Sequence, residues 1–247
     1  MRYFIELSYD GKCYHGWQRQ PNANTVQQVL EEALSTLLRT NMQVVGAGRT
    51  DAGVHAKQLY AHFDYENAIL SEQLVYRLNA FLPEDIAVIN IRKVNSEAHA
   101  RFNATARSYD YWVVQQKNPF YKDSAHLVRE QLNVKAMNAA SKLLATYTDF
   151  ECFSKSNTDV KTYLCSISKA EWKISNDKLI FTITADRFLR NMVRAIVGTL
   201  LEIGLEKKPV AWIHEVIKSK DRGKAGVSVP AKGLYLTKVD YPEEIFI

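Results

Sequence analysis

Asp51 stands two residues from a guanidinium, Arg49, and between Gly48 and Gly53, in the stretch Gly48-Arg49-Thr50-Asp51-Ala52-Gly53-Val54-His55-Ala56. Small residues let a substrate come close to the backbone. An arginine beside a carboxylate holds it ionised, the form that suits a nucleophile rather than a general acid. The same residues also suit a tight turn in which Asp51 caps its own backbone. A nucleotide loop is excluded, because no Gly-Lys-Ser/Thr ending is present and Gly46, Gly48 and Gly53 do not fit Gly-x-Gly-x-x-Gly. His55, His62 and Asp64 raise the question of a metal. His62 and Asp64 would share a strand face, but no third ligand has metal-binding spacing, so they read as satisfied or surface side chains.

Three arginines, Arg187, Arg190 and Arg194, are spaced i, i+3, i+7 and can line one side of a helix or its lead-in. That helix, about Leu189 to Ile203, is otherwise apolar, which implies deep packing. An arginine in its first turns then needs a buried partner or a cleft, and a carboxylate from another domain would serve. Tyr109 and Tyr111 point to one face of a strand with Trp112 opposite. Such rings are core residues or, in a nucleic-acid site, platforms for a base.

The elements that must position these residues follow one pattern twice. A strand at Tyr3–Tyr9 leads to a helix from Val26 to Leu38, with Thr25 and Gln28 as a capping box. A strand near Gln43–Val45, a strand at Leu59–Tyr65, a helix capped by Ser71 and ended by Pro83, and a strand at Ile86–Val94 complete a βαββαβ order, the ferredoxin-like arrangement. The second pass has a strand at Ser108–Val114, a helix at Val134–Leu144, and a hairpin of Tyr163–Ile174 with Leu179–Thr184 about Ser175-Asn176-Asp177-Lys178. The apolar helix, a helix opened by Pro209, and a strand at Gly233–Asp240 follow. The expected architecture is therefore α/β, with two ferredoxin-like domains, 1–103 and 104–247, which would form a positively charged cleft if they pair edge to edge.

Composition bounds the partners. The chain has 247 residues, 47% apolar and 24% charged, as globular domains do. No run approaches the ~18 uncharged apolar residues of a membrane span, and the N-terminus alternates as a strand and carries charge too early for a signal peptide. Three cysteines, Cys13, Cys152 and Cys165, lack metal-ligand spacing, and their odd number argues against a disulfide framework. The expected home is the reducing cytoplasm. Residues 1–103 hold 10 Lys+Arg against 11 Asp+Glu, whereas residues 104–247 hold 22 against 16. A basic second half is compatible with a polyanionic partner.

Four segments together resemble the TruA family of tRNA pseudouridine synthases: GRTDAGVHA (48–56), AHARFNATARSYDYWV (98–113), FLRNMVRAIVGTLLEIG (188–204) and GLYLTKVDYP (233–242). The resemblance implies isomerisation of uridine to pseudouridine in the tRNA anticodon stem-loop, at positions 38, 39 and 40. It also implies a homodimer whose basic clefts hold the tRNA, with no metal or organic cofactor and no membrane. By motif, Asp51 matches the family's catalytic aspartate and Arg49 a neighbouring arginine. Arg194 matches the arginine that pairs with the aspartate, Tyr109 the active-site tyrosine, and Leu234 an apolar residue of the pocket wall. The chain departs from the common pattern at residues 57–60 and 227–232, and Lys161 stands where relatives often have arginine. The residues suit the reaction: the N1–C1′ bond breaks, the base turns and rejoins through C5, and nothing is oxidised or hydrolysed. A flipped base, a water-poor pocket and an ionised carboxylate suffice. Addition of Asp51 to C1′ or to C6, or removal of the 2′ proton, remain open. A non-catalytic RNA-binding protein on the same scaffold is the competing expectation, and the presence of Arg49, Asp51, Tyr109 and Arg194 favours the enzyme.

Overall fold

A computed structural model describes residues 1–155 and 160–247. The chain forms two compact units, one of Met1–Ala106 with Tyr235–Ile247 and one of Arg107–Leu234.

The first unit has β1 (Arg2–Tyr9), α1 (Val26–Leu38), β2 (Val45–Gly46), β3 (His55–Asp64), α2 (Ser71–Phe81) and β4 (Ile86–Val94), the expected βαββαβ order. β1 pairs antiparallel with both β3 and β4, and the short β2 pairs antiparallel with the far end of β3. In α1 the apolar stripe Val26, Leu30, Ala33 and Leu34 is buried. Thr25 Oγ1 accepts the Gln28 amide at 3.4 Å, but the Gln28 side chain reaches Glu32 instead of turning back, so half the capping box forms. Glu31, also buried, accepts from Arg19 Nη1 (3.0 Å), Gln27 Nε2 (2.9 Å) and the Val44 amide (3.1 Å). That satisfied carboxylate ties α1 to the chain entering the glycine motif. Ser71 is not the cap of α2 but its first helical residue; Leu70 holds the cap position without a side-chain bond.

The second unit contains β5 (Ala106–Val114, whose first residue closes the first unit), β6 (His126–Leu127), α3 (Val134–Leu144), β7 (Ile167–Ser175), β8 (Lys178–Ala185), α4 (Met192–Gly204) and α5 (Trp212–Ser219). β8 pairs antiparallel with β5 and β7, and β6 pairs parallel with β5. Asn133 Oδ1 caps α3 by accepting the Ala136 amide at 3.0 Å. The hairpin turn is Asn176-Asp177, with Asn176 at φ +53° between paired Ser175 and Lys178. β7 starts at Ile167 rather than Tyr163 because residues 163–165 bond elsewhere: the Tyr163 carbonyl takes the Phe150 amide and the Cys165 amide goes to Thr148. Helix α4 starts at Met192, since Asn191 is left-handed at φ +66° and breaks the turn. Arg187 and Arg190 therefore precede the helix and share no helical face with Arg194. Pro209 opens a turn, its carbonyl accepting the Trp212 amide, and α5 follows.

The last strand, β9 (Leu234–Asp240), lies from Tyr235 onward in the first unit. It pairs parallel with β3, His55 opposite Tyr235 and Ala56 opposite Leu236, which gives β3 a ladder partner four residues before its expected start. Division of the chain at 103/104 assigns this strand to the second domain. Residues 241–247 then cross the outer face of β1. Phe4 meets Tyr241 at 5.2 Å and Phe246 at 6.0 Å between ring centroids, and the Ile247 amide reaches the Lys93 carbonyl. Tyr3, Phe4 and Ile5 are buried in succession, as a strand covered on both faces requires.

Candidate active site

The first unit presents Arg49 and Asp51 on the connection from β2 to β3. A turn closes there by the Asp51 carbonyl accepting the Val54 amide at 3.1 Å, with Gly53 at φ +75° as its third residue. A positive φ at that place needs glycine, so Gly53 sets the turn and Asp51 occupies its first position, half-buried. Arg49 is exposed, and its Nε donates to Gln18 Oε1 at 2.9 Å. Thr50, between them, is buried and shares a hydrogen bond of 2.8 Å with the Tyr9 hydroxyl. Gly48 has open space where a Cβ would stand, which fits the expectation that the backbone there can be approached.

The motif is held by residues 10–18, of which the sequence marks only a turn at Asp10-Gly11. The Trp17 amide donates to the Thr50 carbonyl and the Gly53 amide to the Tyr14 carbonyl. A Cβ on Gly11 would overlap the Val54 carbonyl, and one on Gly16, at φ +89°, would overlap the Thr50 carbonyl. Gly46 lies against the Trp17 indole in the same way. Two backbones in direct contact fix Asp51 more firmly than side-chain packing would. The available signal was Gly16 beside Trp17, a small residue followed by the largest.

The histidines are satisfied. His55 is buried, its ring stacked on Tyr235 at 4.6 Å, with Nδ1 2.9 Å from Asp10 Oδ1 and 3.1 Å from the Gly11 amide nitrogen. His62 Nδ1 accepts the Ala100 amide at 3.1 Å. Burial, with smaller contributions from Arg2 and His99, pushes the His62 pKa down to about 4. Among the described residues no group of three His, Cys, Asp or Glu side chains could hold a metal.

The second unit presents Tyr109, Arg194 and Leu234. Tyr109, on β5 opposite Ile183, is half-buried and meets Phe188 edge-to-face at 5.1 Å. Arg194 is the third residue of α4, and its Nε donates to the Val229 carbonyl at 2.7 Å while its own carbonyl accepts the Val229 amide. Tyr111 is fully buried, with its hydroxyl on the Pro230 carbonyl at 2.9 Å. Burial pushes that phenol above its ordinary range, and the Arg194 charge pulls the other way. Leu234 is buried at the end of this unit, where the preceding Gly233 packs a backbone against the Tyr111 ring.

A family model described as tRNA pseudouridine synthase matches residues 7–103 and 140–242. The tRNA pseudouridine synthase A of Bacteroides thetaiotaomicron is 53% identical over 248 residues, covering 99% of this chain and 92% of the relative. That of Parabacteroides distasonis is 54% identical, covering 99% and 98%. At greater distance, tRNA pseudouridine synthase A 2 of Clostridium perfringens is 39% identical, covering 96% of this chain and 98% of the relative. With the α/β elements in place and the match running through both units, the chain belongs to the tRNA pseudouridine synthase family, isomerases that convert uridine in tRNA to pseudouridine.

Proposed function

We propose that this enzyme modifies the tRNA anticodon stem-loop, at positions 38, 39 and 40, with Asp51 as the group that reacts with the flipped nucleoside. The observation that carries the assignment is the Asp51–Val54 turn, closed by main chain and clamped by residues 10–18, which offers one carboxylate from a rigid backbone. Pre-organisation of this kind lowers the cost of bringing the carboxylate to a reacting carbon. In this reading Arg194 orients the carboxylate, and Arg49 supports it from the residues just before the Asp51–Val54 turn. Tyr109 stacks on the uracil, and Leu234 supplies an apolar wall that excludes water. In the isomerisation the glycosidic N1–C1′ bond breaks, the uracil rotates, C5 bonds to C1′, and the C5 proton leaves to solvent as N1 gains one. No net redox or hydrolysis occurs, and these residues need no added group for it. The enzyme acts in the cytoplasm as a homodimer that holds tRNA by its phosphates. The basic balance of residues 104–247 supports that reading, and no helix among the described residues is long and apolar enough to cross a membrane.

The test is release of tritium from C5-labelled uridine in tRNA, with the modified positions mapped. Asp51→Asn is expected to abolish release while tRNA binding survives. Release at the native rate would overturn the role of Asp51, and modification outside positions 38–40 would overturn the assigned site.

A further inference from the structure

We infer that Arg222 is a positioning residue for Arg194, acting through the segment Gly226–Val229 that straps the first half of α4. The inference rests on the proposed catalytic role of Arg194. The strap lies directly on the helix: a Cβ on Gly198 would overlap the Val227 carbonyl oxygen, and one on Gly226 would come within 2.6 Å of the Gly198 carbonyl carbon. Two glycines face each other so that two backbones can touch. The Gly226 amide donates to Thr199 Oγ1 at 2.9 Å, a buried bond, and the Val229 amide and carbonyl both engage Arg194, at 3.3 Å through its carbonyl and at 2.7 Å through its Nε.

Arg222 holds the other side of this strap. Its Nη1 donates to the Gly226 carbonyl at 3.1 Å and its Nη2 to Ser228 Oγ at 2.7 Å, one planar fork bridging two residues of the strap. Ser228 Oγ also accepts from Asn191 Nδ2 at 2.6 Å, so the left-handed residue just before α4 is fixed to the same hydroxyl. The path is Arg222 to Ser228 and Gly226, then the Val229 carbonyl, then the Arg194 guanidinium. A hydrogen bond to Nε sets the plane of the guanidinium and therefore the direction in which its terminal nitrogens point. Removing the fork lets the strap, and with it the acceptor for Arg194, drift.

The test uses the full-length enzyme and Arg222→Gln, with two readouts. In nitrogen-15 NMR, the Arg194 Nε–H signal, assigned by its loss in Arg194→Lys, should exchange with water several-fold faster in Arg222→Gln. In the tritium-release assay, kcat should fall roughly tenfold, the scale of one charge-assisted hydrogen bond, with KM for tRNA within about twofold. Adding Arg222→Gln to Arg194→Lys should cost nothing further. Unchanged exchange, an additive loss in the double variant, or a raised KM with native kcat would overturn the inference, the last marking Arg222 as a phosphate contact. Native kcat in Arg194→Lys would instead remove the catalytic role of Arg194, while the exchange readout still decides the strap. Should Arg222→Gln fail to fold, Ser228→Ala cuts the same path at its shared acceptor and carries the same expectations.

Discussion

Gly198→Ala sets two physical effects against each other within α4. Helix propensity alone favours alanine by about 1 kcal/mol in a helix interior. Contact with the strap opposes it. The new methyl would stand 2.9 Å from the Val227 carbonyl carbon and closer still to its oxygen, and both are backbone atoms that cannot rotate away. Relief requires the strap to lift, which breaks the buried Gly226–Thr199 bond and loosens the Val229–Arg194 pair. Overpacking costs about 1–3 kcal/mol, and a buried polar group left unsatisfied costs about 1–3 kcal/mol. After the propensity gain, a net loss of about 3 kcal/mol is expected, a fall in Tm of roughly 6–12 °C for a chain of this size. Scanning calorimetry of the full-length protein measures it, and tritium release should fall because Arg194 loses its fixed acceptor. A Tm equal to or above that of the native enzyme would refute the reasoning, since helix propensity alone gives that result.

Gly48→Ala should leave Tm unchanged, because its methyl would enter open space, yet lower kcat/KM; native kcat/KM would remove any close approach of substrate there. Gly16→Ala combines a positive φ with an overlap on the Thr50 carbonyl and should cost about 1–3 kcal/mol; a native Tm by calorimetry would contradict the clamp. His62 stays neutral in the folded chain down to about pH 4, whereas unfolded histidine takes up its proton near pH 6.5. The unfolded state binds more protons between these values, so stability should fall as pH drops from about 6.5 to about 4. His62→Asn, which can still accept the Ala100 amide, should flatten that slope in urea titrations across the window, and an unchanged slope would exclude His62 as its source. Affinity for tRNA should weaken steeply with salt as phosphate contacts release counterions, and a salt-independent Kd in filter binding would contradict the electrostatic reading.

Periodicity located α1 to α4, because the core stripe of each is spelled out locally: Val26, Leu30, Ala33 and Leu34 in α1, for example. Boundaries missed where a single residue or a distant partner decides them. Asn191 delays the start of α4 to Met192 by adopting a positive φ, and the early start of β3 depends on pairing of His55 and Ala56 with a strand some 180 residues away, Ala56 lying opposite Tyr9 as well. The return of Tyr235–Ile247 to the first unit is likewise a long-range pairing with no local signature. In the candidate site, the Asp51 segment was legible as a motif, and the residues that immobilise it were not. Gly16 and Trp17 hold that segment, and Arg222 and Ser228 bond the strap beside Arg194, through backbone contacts and hydrogen bonds that only the folded chain brings together.

The path of the last residues also fixes an order of assembly on the ribosome. The strand that pairs with His55 and Ala56, and the rings that cover Phe4, are synthesised after the whole of Arg107–Leu234. The inserted unit can therefore complete its core while the first still lacks a strand and one side of its sheet. Until residues 235–247 have emerged, the edge of β3 near His55 and the aromatic face of β1 stand open to solvent and to chaperones. The unit begun first is thus completed after the inserted one, and the Asp51 loop has no completed sheet beside it until residues 235–247 have been made.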